Sequence, residues 1–190
     1  MHTHPDKNVP ASNVLVKHKG LFDFDGFYRT MRAWFEKYRY EFNEKKIKEK
    51  PYGAGSWEIE PKWNAIRKVD EYVQYFIYIE GHLWDAKPIE KVVNGEKRRM
   101  FDARMTFNIK GTVTLDYTGI FKGSPFLEFM GMWFRKLRHR ELDLQYIEVL
   151  EYEVFKLQTE MKRFLDHMTA ETAYFYYPKI TEGEWIKDIR

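Results

Sequence analysis

Between Val69 and Trp84 the chain is apolar on both faces of an extended strand: Val73, Tyr75, Ile77, Ile79 and Leu83 alternate with Tyr72, Phe76, Tyr78 and Trp84. A strand of that kind belongs inside a sheet, with either a packed layer or a binding surface over its second face. The segments around it read as antiparallel partners. Asn94-Gly95 between Val93 and Glu96 is a type I′ hairpin signal, and a two-residue loop there sets Glu90 against Arg99 and Lys87 against Asp102. Beyond it Phe101, Ala103, Met105, Phe107 and Ile109 alternate with polar residues, and the phase continues through Val113, Leu115 and Tyr117. A three-residue turn at Ile109-Lys110-Gly111 would pair Phe107 with Val113, Met105 with Leu115 and Arg104 with Asp116, so a second hairpin is expected. Earlier in the chain, residues 14–22 read as a short strand and residues 40–50 as a lysine-defended edge strand. Trp57, Ile59, Pro61, Trp63 and Ala65 form one face of a strand in which Pro61 requires an edge or a bulge.

The helical signals are as clear. Phe27, Tyr28, Met31, Trp34, Phe35 and Tyr38 make one broad apolar face, with Arg29, Arg32, Glu36 and Lys37 opposite. Asp23 or Asp25 stands where an N-cap is needed. Ser124 and Pro125 open a second helix as N-cap and first helical residue. Its period runs from Phe126 through Met130, Trp133, Leu137 and Leu144 to Met168, 43 residues, or roughly 65 Å at ~1.5 Å per residue. One domain cannot cover that length, so a break near Arg138-His139-Arg140-Glu141, or an extension toward a partner, is expected. Ile147, Leu150, Val154, Leu157, Met161 and Phe164 are spaced by three and four, a heptad seam suited to self-association.

Composition narrows the class. A chain of 190 residues, 44% hydrophobic and 18% aromatic, is not disordered, and one domain is expected. The absence of cysteine excludes disulfides, thiolate zinc sites and a Cys nucleophile. No apolar leader or ~18-residue apolar span is present, which predicts a cytoplasmic protein. Residues 1–11 read as a polar arm, 12–169 as a single α+β domain, and 170–190 as an aromatic tail that docks on the body or on a partner. The domain is expected to hold an antiparallel sheet of six to seven strands, with an N-terminal helix and a long C-terminal helix on one face.

Chemistry-bearing motifs are missing: there is no G-x-G-x-x-G, H-E-x-x-H, G-x-S-x-G or calcium loop. Serine occurs only at Ser12, Ser56 and Ser124, each at a turn or strand border. His82 and Glu80 share a strand face at i and i+2, as a proton-transferring pair would, but a structural strand-end histidine is the simpler reading. Two histidines near the start, His2 and His4, do not make a metal site. No catalytic residue, cofactor or metal is therefore assigned. A net charge of 32 − 29 = +3 does not by itself imply nucleic acid. Arg135, Lys136, Arg138 and Arg140, following bulky apolar residues, would suit an anionic membrane or nucleic acid. Glu128 and Glu141 dilute that field and favour an ordinary solvated face.

The order strand, helix, about six antiparallel strands and long terminal helix resembles the helix-grip arrangement of the START and Bet v1-like superfamily. The likeness spans residues 12–169 and rests on element order, with no residue motif. One N-terminal helix stands where the superfamily has a pair, and the terminal helix is longer. The resemblance implies a sheet wrapped around that helix with an apolar, lipid-like or aromatic ligand between them, bound without chemistry. The lining would be Trp57, Trp63, Tyr75, Ile77, Met105, Phe107, Leu115 and Tyr117, closed by Trp133, Leu137 and Leu144. The alternative function is an assembly protein that uses the heptad helix and aromatic tail.

Overall fold

A computed structural model describes residues 7–53, 55–93 and 96–176, side chains excepted at 91–93, 96–99 and 168–176. Strand β1 (Asn8–Phe22) leads into helix α1 (Phe24–Lys37), followed by β2 (Glu41–Pro51), β3 (Trp57–Lys68), β4 (Val73–Val93) and β5 (Glu96–Leu115). The chain then turns helical: α2 (Pro125–Leu137), the single turn α3 (His139–Leu142), a π-helical turn (Asp143–Ile147) and α4 (Glu148–Tyr176). All strand pairs are antiparallel, in the order β1-β5-β4-β3-β2. The helical break falls at Arg138, where the sequence places it.

The sheet has five strands, not six or seven, because β4 and β5 run unbroken for 21 and 20 residues. Their register contains the expected pairs Glu90 with Arg99 and Lys87 with Asp102. The second hairpin does not form: Gly111 lies inside β5, paired with Ser12 on one side and Ile77 on the other. A Cβ at Gly111 would lie 2.9 Å from Ser12 Oγ and 3.0 Å from Val154 Cγ2. Glycine is there to let α4 approach the sheet, not to turn the chain. In consequence Arg104 faces Trp84, and Asp116 is bound by Lys7 at 2.9 Å instead of by Arg104. β3 is an interior strand with neighbours on both sides of Pro61. The irregularity lies in the partner β2, between Glu44 and Lys46, and Gly81 of β4 leaves room for the Pro61 ring and Phe107. β1 begins at Asn8, so residues 8–11, read as part of the polar arm, belong to the sheet. The tail beyond Tyr176 and residues 1–6 lie outside the described residues.

The helices α1 and α4 pack on one face of the sheet. Asp23 caps α1 by accepting from the Gly26 N–H at 2.9 Å, and the helix buries Phe27, Met31, Trp34 and Phe35. Leu150, Val154, Leu157 and Met161 of α4 are buried in the same core, with Ile147 and Phe164 packed against it. The heptad seam read as a self-association surface is thus the grip of α4 on its own sheet. A buried polar cluster fixes the helix in place. Glu153, 8% exposed, accepts from Tyr40 Oη at 2.6 Å and from Arg67 Nη2 at 2.9 Å. Arg67 also donates to the Tyr38 carbonyl and lies over the Tyr40 and Tyr75 rings. Burial, then the bond to Glu153, raises the Tyr40 pKa far above that of a free phenol, so the hydroxyl stays a donor.

Candidate binding surfaces

The residues expected to line an interior pocket divide into three groups. Trp63, Tyr75, Ile77, Met105, Phe107 and Leu115 meet in the core between sheet and helices. Rings fill the space around them: Trp63 stacks on Phe107 at 5.8 Å between centroids and is touched by Phe24, Tyr28 and Phe42. Phe107 is covered in turn by Phe27 at 4.9 Å. Trp57, at the start of β3, is 38% exposed, and half-buried Tyr117 donates its hydroxyl to the Asp70 carbonyl. Trp133, Leu137 and Leu144 do not close this space; all three point to solvent.

Their exposure reflects the orientation of α2. Ser124 accepts from the Leu127 N–H, as an N-cap should. The face turned toward the protein is Gly131 and Arg135, with Phe134 beside them in a ring cluster with Tyr72 and Phe121. A Cβ at Gly131 would lie 2.8 Å from Phe121 Cβ, so the missing side chain is what seats the helix. The opposite face carries Phe126, Phe129, Met130, Trp133 and Leu137, spaced three and four apart, and leaves them in solvent; Phe126 is 69% and Leu137 73% exposed. Eighteen large apolar side chains are exposed among the described residues, and twelve of them fall between Ile120 and Phe155. Scattered single exposures are ordinary, whereas a contiguous apolar face on one helix marks a contact surface. The four basic residues of this region do not act as one cluster: Arg135 is buried, Lys136 lies over Trp133, and Arg138 pairs with Glu141.

A second surface lies on the far side of the sheet. β4 is the middle strand, so its two-faced apolar pattern has the position the sequence demanded. Phe76, Tyr78, Glu80, His82 and Trp84 stand half-buried on the face away from α1 and α4. Glu80 is not the partner of His82: it pairs with Lys62, while His82 Nε2 meets Glu58 Oε1 at 2.6 Å across the strands. His82 also stacks on Trp84, 4.0 Å between centroids. Glu58, Glu60 and His82 bring one ligand atom each within 4.8 Å of one another. Burial would raise the Glu60 pKa, but Lys50 and Lys48 hold it below the usual carboxylate range. Two ammonium groups already occupy the field a cation would need, so the trio reads as an ion-pair network. Sequence reasoning missed Glu58 as the histidine's partner because cross-strand neighbours appear only once the β3–β4 register is known.

No described helix is long and apolar enough to cross a membrane. No protein-family model and no curated protein matches this sequence.

Proposed function

We propose that this chain is a non-catalytic assembly module of helix-grip type, joined to a second copy of itself through the outward face of α2. The helix-grip reading is supported by the strand order, with β1 and β2 at opposite edges and α4 held across the face between them. The single observation that carries the function is the inverted burial of α2, which presents five large apolar residues at helical spacing to solvent. The rim favours a protein partner over an anionic bilayer. The charged residues of this stretch carry both signs, Glu128 and Glu141 as well as Lys136 and Arg140, a mixture that suits a protein surface better than an anionic bilayer. A ligand held in the interior has less support, because the protein's own rings crowd around Trp63.

Size-exclusion chromatography with light scattering tests the reading. At micromolar concentration the chain should elute at twice its own mass, and Phe129→Glu combined with Trp133→Glu should elute as a monomer that still unfolds in one cooperative transition, with a midpoint no longer dependent on protein concentration. A wild-type chain that stays monomeric under these conditions overturns it.

A further inference from the structure

The outer face of the sheet carries an inference that does not depend on α2. Trp84, backed on one side by the stacked His82 ring, also lines a shallow groove of about 540 Å³ together with Lys17 and Lys19 of β1 and Arg104 and Thr106 of β5. None of these three cations forms an ion pair among the described residues; the carboxylate of Asp85 beside them is held by Ser56 and Lys87 and feels Arg104 only at longer range. Elsewhere on the same face charge cancels locally: Lys62 with Glu80, Lys48 and Lys50 with Glu60, His82 with Glu58. Where β1 and β5 run beside the ring-bearing strand, Lys17, Lys19 and Arg104 outnumber the nearby carboxylates Asp85 and Asp102. From Trp84 the rings continue along β4 to Tyr78 and Phe76, and exposed Lys110 faces Tyr78 in the register.

Aromatic side chains in a row beside solvent-facing cations are the two requirements for holding a nucleic acid strand whose bases are free to stack. A duplex hides its base faces and offers this surface only phosphates. A small anion would use the cations but not the rings beyond the groove. We propose that this outer face binds single-stranded nucleic acid, with bases stacked on the rings of β4 and phosphates following Lys17, Lys19 and Arg104.

Fluorescence anisotropy of the full chain with a dye-labelled oligouridylate of about 15 nucleotides tests this. Three phosphate contacts predict an affinity that falls roughly 20-fold between 50 and 200 mM salt. Lys17→Glu with Lys19→Glu should remove binding, and Trp84→Ala should weaken it by about tenfold, the loss expected for one stacked base. Lys17 and Lys19 are exposed and Trp84 is half-buried on the outer face, and thermal midpoints close to the wild type's confirm that the variants fold. Phe129→Glu with Trp133→Glu should bind the oligonucleotide as the wild type does, which separates this proposal from the assembly reading. The proposal falls if no binding is seen at 50 mM salt, if Trp84→Ala binds like the wild type, or if a duplex of equal length binds as tightly. A mononucleotide that binds as tightly as the oligonucleotide would replace it with a nucleotide pocket.

Discussion

Helices α1 and α2 are nearly the same length, 14 and 13 residues, both are amphipathic, and both are capped by an acceptor side chain, Asp23 in one and Ser124 in the other. They nevertheless face opposite ways. α1 buries its aromatic stripe, Phe27, Met31, Trp34 and Phe35, while α2 buries Gly131 and Arg135 and leaves its stripe in solvent. Periodicity establishes that a helix has an apolar face; what the preceding strand delivers it to decides which face turns inward. Strand β1 ends at an edge of the sheet and α1 crosses the inner face, where Phe35 stacks on Phe42 of β2 at 5.2 Å. α2 follows the opposite end of β5 and meets Phe121 and Tyr72, where a glycine allows a closer approach than any aromatic. An apolar stripe announces a contact, which α1 makes within the chain and α2 leaves for a partner.

Truncating each stripe tests this contrast most severely. Phe35, fully buried, should cost about 3–5 kcal/mol on Phe35→Ala, as a large core cavity does. The same change at Phe129 should move monomer stability by no more than ~0.5 kcal/mol, as at an unconstrained surface site. Urea unfolding at a concentration low enough to keep the chain monomeric measures both. Equal losses would mean that α2 is packed within the chain, and the distinction would disappear.

Gly131→Ala probes the seat of α2 directly. Alanine is favoured over glycine inside a helix by about 1 kcal/mol, so propensity alone predicts a more stable protein. The new methyl would press on Cβ and Cγ of Phe121, at 2.8 and 2.9 Å, atoms too close to the backbone to swing aside. Overpacking of that kind costs about 1–3 kcal/mol, and a net destabilisation is expected in the same unfolding assay. A gain in stability would show that α2 is loosely held and that its outward face is not fixed by this contact.

The sequence disclosed the strands and helices of this fold better than their connections. The β4–β5 register was legible because unlike charges at Glu90 and Arg99, and at Lys87 and Asp102, are visible without coordinates. Length alone required either a break or an extension beyond the body, and the structure has the break, before α3. Gly111 misled for a physical reason: a glycine in an alternating strand can mark a turn or a close approach, and the atoms that decide, on Ser12 and Val154, are far away in sequence. The same limit hid the cluster of Arg67, Tyr40 and Glu153, whose members lie 86 and 113 residues from one another across the fold. Of the two candidate surfaces, the ring row on β4 could be read from the two-faced pattern. The outward face of α2 could not, since the same spacing in α1 points to the core.

The smallest expected effect concerns the junction from which α2 departs. Asp116, at the end of β5, has its side chain fully buried, accepts from Lys7 at 2.9 Å and holds the Phe121 N–H at 3.4 Å. Burial would raise its pKa, but the bonds from Lys7 and from the Phe121 and Ile120 N–H groups outweigh it and leave the carboxyl below its ordinary value. A carboxylate with a depressed folded-state pKa adds stability that is complete above the unfolded value of about 3.9 and is lost as pH falls through the folded one. Asp116→Asn keeps an acceptor for Phe121 but removes the charge. The expected cost at neutral pH is about 1 kcal/mol, kept small because Lys7 is partly solvated and regains water when released. Urea midpoints of wild type and variant should therefore differ at pH 7 and converge as the pH falls well below the ordinary carboxylate range. A gap that persists in acid would mean that the geometry around Asp116, not its charge, anchors Phe121, and that the seat of α2 is held by packing alone.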